Sequence, residues 1–465
     1  MSFTRSPLFQ YPLLLLVCAV MAAPPLVNHF RAEGPFAWPV FAENPPDHKL
    51  PATVSQNKDY PLWYFVGRTV VEDATLRERS GHEWSLYPTE PGKSFPFMYP
   101  PFAALCLGVL SLLGPTGMLI ALIILNILSV SVVIELSVRL VVGTGNVSIW
   151  LRLLPAAACL FFLNDMFLLG QPNLGLLCLI LGGLTLVRTD KPVNQALGGG
   201  LFALATAIKA FPAVVIVYLL WRRQWVAAAS MVLFCVLFFV AVPASVRGWD
   251  RSMGELKTWA DGMLFRQGED GHGQRPEQSV GWRNQSLFGV ANRFLRPGNA
   301  KAEETAHQGA EPLYVNVADL GYRGAMIGAV ATAGLLGLGF ILVMPRKRDR
   351  TRDTDAAEFG MLVILMTIGT PYAFGYYFVW LLYPLTVVVY HGLKPGGYLA
   401  ERNIAWDVLL AVAVLFALSG LQTFKWYEPM AYGSLFWAAM AALVGCGWAT
   451  YRSRRATATP QAAFC

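Results

Sequence analysis

Long runs of apolar residues, separated by short polar turns, make up most of this 465-residue chain. A helix needs about 20 mostly apolar residues to cross roughly 30 Å of hydrocarbon, and this rule predicts about twelve membrane spans. The predicted spans lie near residues 8–27, 98–114, 117–142, 149–168, 171–187, 196–220, 224–245, 322–344, 358–374, 376–391, 405–422 and 431–451. The sequence therefore predicts an all-α polytopic transmembrane helix bundle that forms a single integral membrane domain over residues 1–465.

The second, fourth, fifth, ninth and tenth of these runs are short, or are broken by Pro, Gly or polar residues. Interrupted helices are tolerated in a membrane only where protein or a watery cavity satisfies the freed backbone groups. We therefore expect the functional site among these interrupted segments.

Short clusters of basic residues orient the chain, because Lys and Arg favour the cytoplasmic side of a membrane. Arg5 precedes the first span, Arg222 and Arg223 follow the sixth, and further clusters at 346–352 and 452–455 follow the eighth and the twelfth. With twelve spans, all four clusters lie on one side. This pattern predicts cytoplasmic N- and C-termini for the chain, which we expect in a bacterial plasma membrane.

Two long polar stretches, residues 28–97 and 246–320, then lie outside the cytoplasm. Both contain mixed charges together with Trp, Pro and Gly, and both are too rich in aromatic residues for disordered linkers. We expect them to be two structured extracytoplasmic loops.

The composition supports a membrane protein, since 55% of residues are hydrophobic and only 14% are charged, against about 25% charged in soluble domains. The net charge of +7 comes largely from clusters beside apolar segments, which is typical of topology determinants and not of a nucleic-acid-binding face. None of the seven cysteines stands in a CxxC or Cys/His ligand pattern. We predict no metal site and no cofactor, and leave a requirement for a divalent cation open.

Asp59 is the first candidate for chemistry. It lies in the first polar stretch with Tyr60 beside it and Arg68 nine residues on. A carboxylate can take a proton from an attacking hydroxyl as a general base, and an arginine can bind a phosphate. The alternatives are a solvated loop acid and an ordinary interfacial arginine.

Polar residues inside the apolar runs are further candidates, because such residues are expensive in a membrane unless they have partners. Asn164 and Asp165 precede a Gly-Gln-Pro-Asn motif at residues 170–173, in which Gln171 and Asn173 could bind a phosphate or a sugar hydroxyl. Asp165 is a second candidate for the base. Lys209 lies near the middle of the sixth predicted span, where an ammonium suits an anion-binding role better than snorkelling.

Three more motifs contain aromatic or polar residues near predicted span ends. Tyr99 precedes Pro100 and Pro101 at the start of the second span, where proline suits the first turn of a helix. Asn284 and Gln285 precede a short apolar pattern that ends with Arg293, and this arrangement is typical of an interfacial helix. The third motif, residues 369–372, lies where the ninth and tenth predicted spans meet.

Taken in order, these motifs resemble glycosyltransferase family 87, whose members are polytopic enzymes of the GT-C superfamily that use a polyprenyl-phosphate sugar donor. The resemblance runs from about residue 55 to 390 and rests on Asp59-Tyr60, Tyr99-Pro100-Pro101, Gly170-Gln171-Pro172-Asn173, Lys209 with Pro212, and Asn284-Gln285-Ser286-Leu287 with Arg293.

The resemblance implies a GT-C bundle with an extracytoplasmic active site, in which the first outside loop supplies the catalytic acid, here Asp59. We expect inverting transfer of a hexose, mannose by the resemblance, from a polyprenyl phosphate to a lipid or glycan acceptor. Tyr60 and Tyr99 would position the reactants, and Lys209, Arg293 or Arg68 would stabilise the departing phosphate. Gln171, Asn173, Asn284 and Gln285 would orient the sugar and the phosphate.

Two other functions fit the same pattern. Lys209 and Asp165 could belong to the translocation path of a transporter or lipid flippase, and a third possibility is a non-catalytic assembly partner. Span parity also leaves a question open, because it places Gln171 at the cytoplasmic end and Asp59 outside. Either the fourth and fifth runs are half-helices that meet inside the membrane, or their polar residues hold the lipid and not the sugar.

Overall fold

The computed structural model describes residues 16–27, 59–71, 86–87, 97–143, 147–265, 267–268, 271–272, 279–394 and 404–458. Within these residues, the first half of the chain contains ten helices: α1 (Leu16–Val27), α2 (Asp59–Val71), α3 (Pro101–Ser111), α4 (Gly114–Val141), α5 (Trp150–Ala158), α6 (Leu160–Leu169), α7 (Asn173–Val187), α8 (Pro192–Ile208), α9 (Phe211–Trp221) and α10 (Trp225–Arg247).

The second half begins with α11 (Trp249–Ala260), which ends in a π-turn at Asp261–Phe265, and continues with α12 (Leu287–Leu295), α13 (Ala302–Gln308), α14 (Gly321–Val343), α15 (Arg352–Ile368), α16 (Gly375–Leu393), α17 (Ile404–Phe424) and α18 (Ser434–Ala458). Short helical turns lie at Lys347–Asp349 and Glu428–Ala431. Two residue pairs, Gln267–Gly268 and Gly271–His272, form a small antiparallel hairpin. Apart from this hairpin the described structure is all-α, as the sequence predicts.

The chain is a multi-pass membrane protein. Within the described residues, six helices are long and apolar enough to cross a membrane, or seven if the bent pair α5 and α6 is one span. The six are α4, α10, α14, α16, α17 and α18. Each of the twelve predicted spans contains at least one helix, but the count of twelve crossings is not confirmed.

The contacts of the chain define two compact units. Among the described residues, those within 16–132 and 164–265 form the N-terminal unit, and those within 133–163 and 267–458 form the C-terminal unit. The motifs of the first half of the chain belong to the N-terminal unit, and the motif from Asn284 to Arg293 belongs to the C-terminal unit.

The sixth predicted span, 196–220, is two helices that run in opposite directions. Helices α8 and α10 are parallel, because Ser230 donates to the Ala196 carbonyl at 2.6 Å while the Cβ position of Gly200, further along α8, lies 3.5 Å from the Phe234 ring, further along α10. Helix α9 must therefore return the chain from the end of α8 to the start of α10. Pro212 explains the break, since a proline ring clashes with the carbonyl four residues earlier, and α8 ends at that residue, Ile208.

The first polar stretch contains a helix that the sequence did not predict, α2, which packs along α3. A Cβ at Gly67 would lie 2.5 Å from the Leu107 carbonyl oxygen, so the two backbones approach closely at this point. Trp63 and Val66 of α2 share a buried cluster with Phe97 and Ala104. Helix α3 has only 11 residues, about 16 Å, which is too short to cross the membrane.

A contact in the C-terminal unit also contradicts the twelve-span order. That order places Val142, after the third span, and Arg352, after the eighth, on opposite sides of the membrane. In the structure, the Arg352 guanidinium donates to the Val142 carbonyl at 2.8 Å. This conflict disappears if neither α3 nor the 196–220 segment crosses the membrane.

The close approach of α2 to α3 generates a stability prediction. Gly67→Ala should destabilise the protein by about 1–3 kcal/mol, the usual cost of overpacking, because the added methyl meets a backbone carbonyl. The unfolding temperature in detergent measures this change. Gly254→Ala is the control, since Gly254 is exposed on α11 and nothing lies within 4 Å of its Cβ position. Equal unfolding temperatures for both variants would refute the tight α2–α3 contact.

Candidate active site

A sharp turn between α6 and α7 provides the base of the candidate site. Gly170 has φ +66°, a left-handed conformation that suits glycine. The amide of Gln171 donates to the Met166 carbonyl at 3.1 Å, which is the hydrogen bond of a Schellman motif at a helix end. The turn places Gln171 between the two helices and Asn173 in the first turn of α7.

Helix α2 docks onto this turn through two buried side chains. The Tyr60 hydroxyl donates to the Phe167 carbonyl at 2.8 Å, and the Trp63 indole donates to the Gly170 carbonyl at 3.2 Å. Residues three apart share one helix face, so both bonds come from one side of α2. A Cβ at Gly170 would lie 2.7 Å from the Tyr60 ring. The turn and the start of α2 are therefore held together.

The side-chain amide of Gln171 connects the polar groups of the site. Its Nε2 donates to Asp59 Oδ2 at 2.5 Å, and its Oε1 accepts from the Tyr99 hydroxyl at 2.8 Å and from Lys209 Nζ at 3.5 Å. Gln171 is only 2% exposed, whereas Asp59 is half-buried. The amide thus lies between an acid that solvent can reach and a buried ammonium.

Lys209 lies at the end of α8, where the chain turns back into α9. Its Nζ donates to Asn173 Oδ1 at 2.9 Å and lies 5.0 Å from the centre of the Tyr99 ring, a cation–π contact. The side chain is 4% exposed. Helices α7 and α8 form an antiparallel hairpin, in which Gly183 packs against Phe202. Asn173 and Lys209 therefore meet at its open end.

Three helices begin at this network. Helix α2 begins at Asp59, α3 begins two residues after Tyr99, and α7 begins at Asn173. Helix N-termini have partial positive charge and free N–H groups, so they favour bound anions. Together with Lys209, they make the site electropositive around one carboxylate. Such a site suits a substrate with a phosphate group.

Arg68 lies away from the network of Asp59, Gln171 and Lys209. It lies nine residues after Asp59 on the same helix, about 13 Å further along the axis and on the opposite face. As a cation in the last turn of α2, it complements the helix dipole. Asp165, the second candidate for the base, lies within α6, before the turn.

Asn284, Gln285 and Arg293 hold backbone segments of the C-terminal unit. Asn284 donates to the Pro371 carbonyl at 3.0 Å and accepts from the Ala373 amide at 3.1 Å. Gln285 donates to the Trp282 and Met430 carbonyls, both at 2.6 Å. All three side chains are fully buried.

Arg293 lies on α12, the short helix that the sequence predicts, with Ser286 as its N-cap. Its guanidinium donates to the Ala431, Gly281 and Asn284 carbonyls at 2.7–2.8 Å. Burial lowers the pKa of Arg293 to about 9, so the side chain remains charged at neutral pH. Together with Asn284 and Gln285, it fixes the chain around 371–373 and 430–435.

Two residues that the sequence did not single out support Tyr99. The Trp259 indole of α11 donates to the Met98 carbonyl at 3.0 Å, and the buried Tyr87 hydroxyl donates to the Tyr99 carbonyl at 2.6 Å. Isolated aromatic residues in a polar stretch give no sequence signal for such a contact. Trp63, by contrast, follows Tyr60 at helical spacing and could have been found had α2 been recognised.

Comparison with known proteins supports the resemblance seen in the sequence. The model of glycosyltransferase family 87 matches residues 97–371. That match covers more than half of the chain and includes Tyr99, Gln171, Asn173, Lys209 and Arg293.

A curated mycobacterial protein and a solved structure are also similar. The chain is 28% identical over 384 residues to the polyprenol-phosphate-mannose-dependent alpha-(1-2)-phosphatidylinositol pentamannoside mannosyltransferase of Mycobacterium tuberculosis (strain CDC 1551 / Oshkosh), covering 80% of this chain and 77% of the relative. ArnT from Cupriavidus metallidurans in the apo state aligns over 84% of this chain and 74% of its own, with 13% identity and a TM-score of 0.35. This second likeness is too distant to bear on fold or chemistry, so a GT-C architecture stays a prediction.

The contact of Gly170 with Tyr60 can be tested against a matched glycine. Gly170→Ala should lower activity about 100-fold, because a displaced Tyr60 moves Asp59, and small displacements in a site have effects of this size. Gly309→Ala is the control: Gly309 ends α13 with φ +65° and nothing lies within 4 Å of its Cβ position. It should lose about 1 kcal/mol of stability and keep its activity. Similar activities in both variants would show that the Tyr60 contact does not matter.

Proposed function

The chain belongs to glycosyltransferase family 87 and is a membrane hexosyltransferase, and from this premise we propose its substrates and mechanism. We propose that it transfers mannose from a polyprenyl-phosphate donor to a lipid or glycan acceptor. The name of the mycobacterial relative supports a polyprenol-phosphate-mannose donor. The observation that supports the proposal most strongly is the half-buried Asp59 carboxylate, bridged by Gln171 to the Lys209 ammonium.

The proposed reaction takes place at the extracytoplasmic face of a bacterial plasma membrane, with both chain termini in the cytoplasm. Basic turns support this orientation. Arg188 and Lys191 lie in the turn of the α7–α8 hairpin, at the end opposite to Asn173 and Lys209. Basic turns favour the cytoplasm, and α7 has 15 residues, about 22 Å. The site then lies in the outer part of the bilayer.

Asp59 is the proposed general base. The acceptor hydroxyl oxygen attacks the anomeric carbon of the donor while its proton passes to the Asp59 carboxylate. The bond between the anomeric carbon and the phosphate oxygen breaks, and the configuration inverts. Lys209 and the three helix N-termini stabilise the charge on the departing lipid phosphate.

The remaining residues position these groups. Gln171 donates to the acid and accepts from the ammonium, so one amide holds both charged side chains in place. Tyr60 anchors the start of α2, and Asn173 and Tyr99 hold Lys209. In the C-terminal unit, we propose that Asn284, Gln285 and Arg293 act by fixing backbone segments.

No group of three or more His, Cys, Asp or Glu side chains that could hold a metal ion occurs in the described part of the chain. The proposed steps use only the side chains named above.

Removing the carboxylate tests the base directly. Asp59→Asn keeps an oxygen that accepts from Gln171, but should reduce turnover at least about 100-fold because general base catalysis is lost. Transfer of radiolabelled mannose from the donor lipid measures turnover, while binding of the donor should persist. Asp250→Asn is the matched control, an exposed acid in the first turn of α11. Near-normal turnover in Asp59→Asn would rule out this base and make Asp165 the next candidate.

The proposed role of the Lys209 ammonium in binding the donor phosphate has a separate test. Lys209→Met should weaken donor binding about tenfold to a hundredfold, the range for one lost charged hydrogen bond. Binding of the donor lipid by the purified protein measures this effect. Lys257→Met serves as the control, since the Lys257 side chain is 79% exposed. Unchanged affinity in Lys209→Met would mean that Lys209 does not bind the phosphate and only supports Gln171 and Asn173.

A further inference from the structure

The end of the N-terminal unit opposite to the candidate site brings two basic turns side by side. One turn joins α7 to α8 and the other joins α9 to α10. Lys191 lies five residues before Ala196, and Trp225 lies five residues before Ser230, which donates to the Ala196 carbonyl. Because α8 and α10 are parallel with the same rise per residue, the two turns lie at one level. We name these residues, 188–191 and 221–225, the basic end.

The basic end has an excess of positive charge. It contains Arg188, Lys191, Arg222 and Arg223 against one carboxylate, Asp190. Lys191 and Arg223 are exposed. Arg223 also adopts φ 56°, a left-handed conformation that is uncommon for residues other than Gly, Asn and Asp. The side chains of Lys191 and Arg223 take part neither in the proposed mechanism nor in the helix contacts that define the site.

Exposed aromatic and aliphatic side chains adjoin the cations. Trp221 and Trp225 are 56% and 61% exposed, and Val193 is 70% exposed. Exposed tryptophan combines an apolar ring with one N–H donor, which suits the boundary between lipid tails and headgroups. The surface therefore offers cations at headgroup level directly above an apolar helix surface.

We propose that the basic end is a binding site for an anionic phospholipid. The phosphate of the headgroup lies against Lys191 and Arg223, and the acyl chains lie along the exposed apolar side chains of α8 and α9. A soluble phosphate compound would leave the exposed tryptophan and valine side chains without a partner. The proposal does not depend on the sugar-transfer mechanism, since the two sites lie at opposite ends of the α7–α8 hairpin.

Titration of the purified full chain with phosphatidylglycerol, with phosphatidylcholine as the neutral reference, tests the site by native mass spectrometry. The double variant Lys191→Gln/Arg223→Asn removes both exposed cations, and Asn tolerates the left-handed conformation at 223. A basic residue at a membrane surface contributes about fivefold in affinity, so this variant should bind phosphatidylglycerol about 25-fold more weakly. Sugar transfer should remain unchanged.

Lys347→Gln/Arg348→Gln is the matched control, because it removes two exposed cations from a turn of the C-terminal unit in which Asp349 pairs with Arg348 at 3.4 Å. It should change the affinity less than about threefold. Trp225→Leu removes no charge and should weaken binding about threefold, which gives a second test should the double variant fold poorly.

Three results would overturn the proposal. Equal losses in both double variants would indicate general attraction between charges, and no loss in Lys191→Gln/Arg223→Asn would show that no lipid binds there. Binding of glycerol phosphate as tight as that of phosphatidylglycerol would show an anion site that does not recognise a lipid. A loss confined to the basic end, with weak binding of glycerol phosphate, is the expected result.

Discussion

The bridge from Asp59 through the Gln171 amide to Lys209 is the interaction on which the candidate site depends. In the proposed mechanism the acid accepts a proton and the ammonium faces the donor phosphate, so both side chains must be held in position. The neutral amide donates to one oxygen of the acid and accepts from the ammonium, and thereby fixes both groups at once. Gln171 can do this only because Gly170 turns the chain sharply at the end of α6.

Helix ends supply the rest of the electrostatics. The starts of α2, α3 and α7 surround the network, and Lys209 follows the end of α8, where a cation complements the dipole of its own helix. The break at Lys209 therefore has two effects. It ends α8 at the level of the turn that contains Gln171, and it places Lys209 at the end of a helix and not in its middle.

The sequence predicted which residues form the network better than it predicted the path of the helices that contain them. Gln171, Asn173 and Lys209 stood out because polar groups within apolar runs need partners, and the structure brings them together with Asp59 and Tyr99. The reversal at Lys209 could not be predicted, because hydropathy reports how long an apolar run is and not whether its helix folds back. The same limit applies to α3, whose 11 residues looked like one more span.

Other differences between the sequence predictions and the structure have local causes. Pro61 and several aromatic residues hid α2, so the opposite orientations of Asp59 and Arg68 on one helix could not be predicted. Asn284, Gln285 and Arg293 have the residue types of a binding site, but their polar atoms bind backbone carbonyls and amides that lie far away in the sequence. The transporter alternative relied on Lys209 and Asp165 as members of a translocation path, and the family match favours sugar transfer instead.

The central claim is that the electropositive network around Asp59 transfers a sugar from a lipid phosphate. Its most direct test uses the purified wild-type protein in proteoliposomes, with radiolabelled polyprenyl-phosphate mannose and a lipid extract as the source of acceptor. If the claim holds, the label leaves the donor and appears in a new lipid or glycan product. Movement of intact labelled donor across the vesicle membrane, with no labelled product, would contradict it.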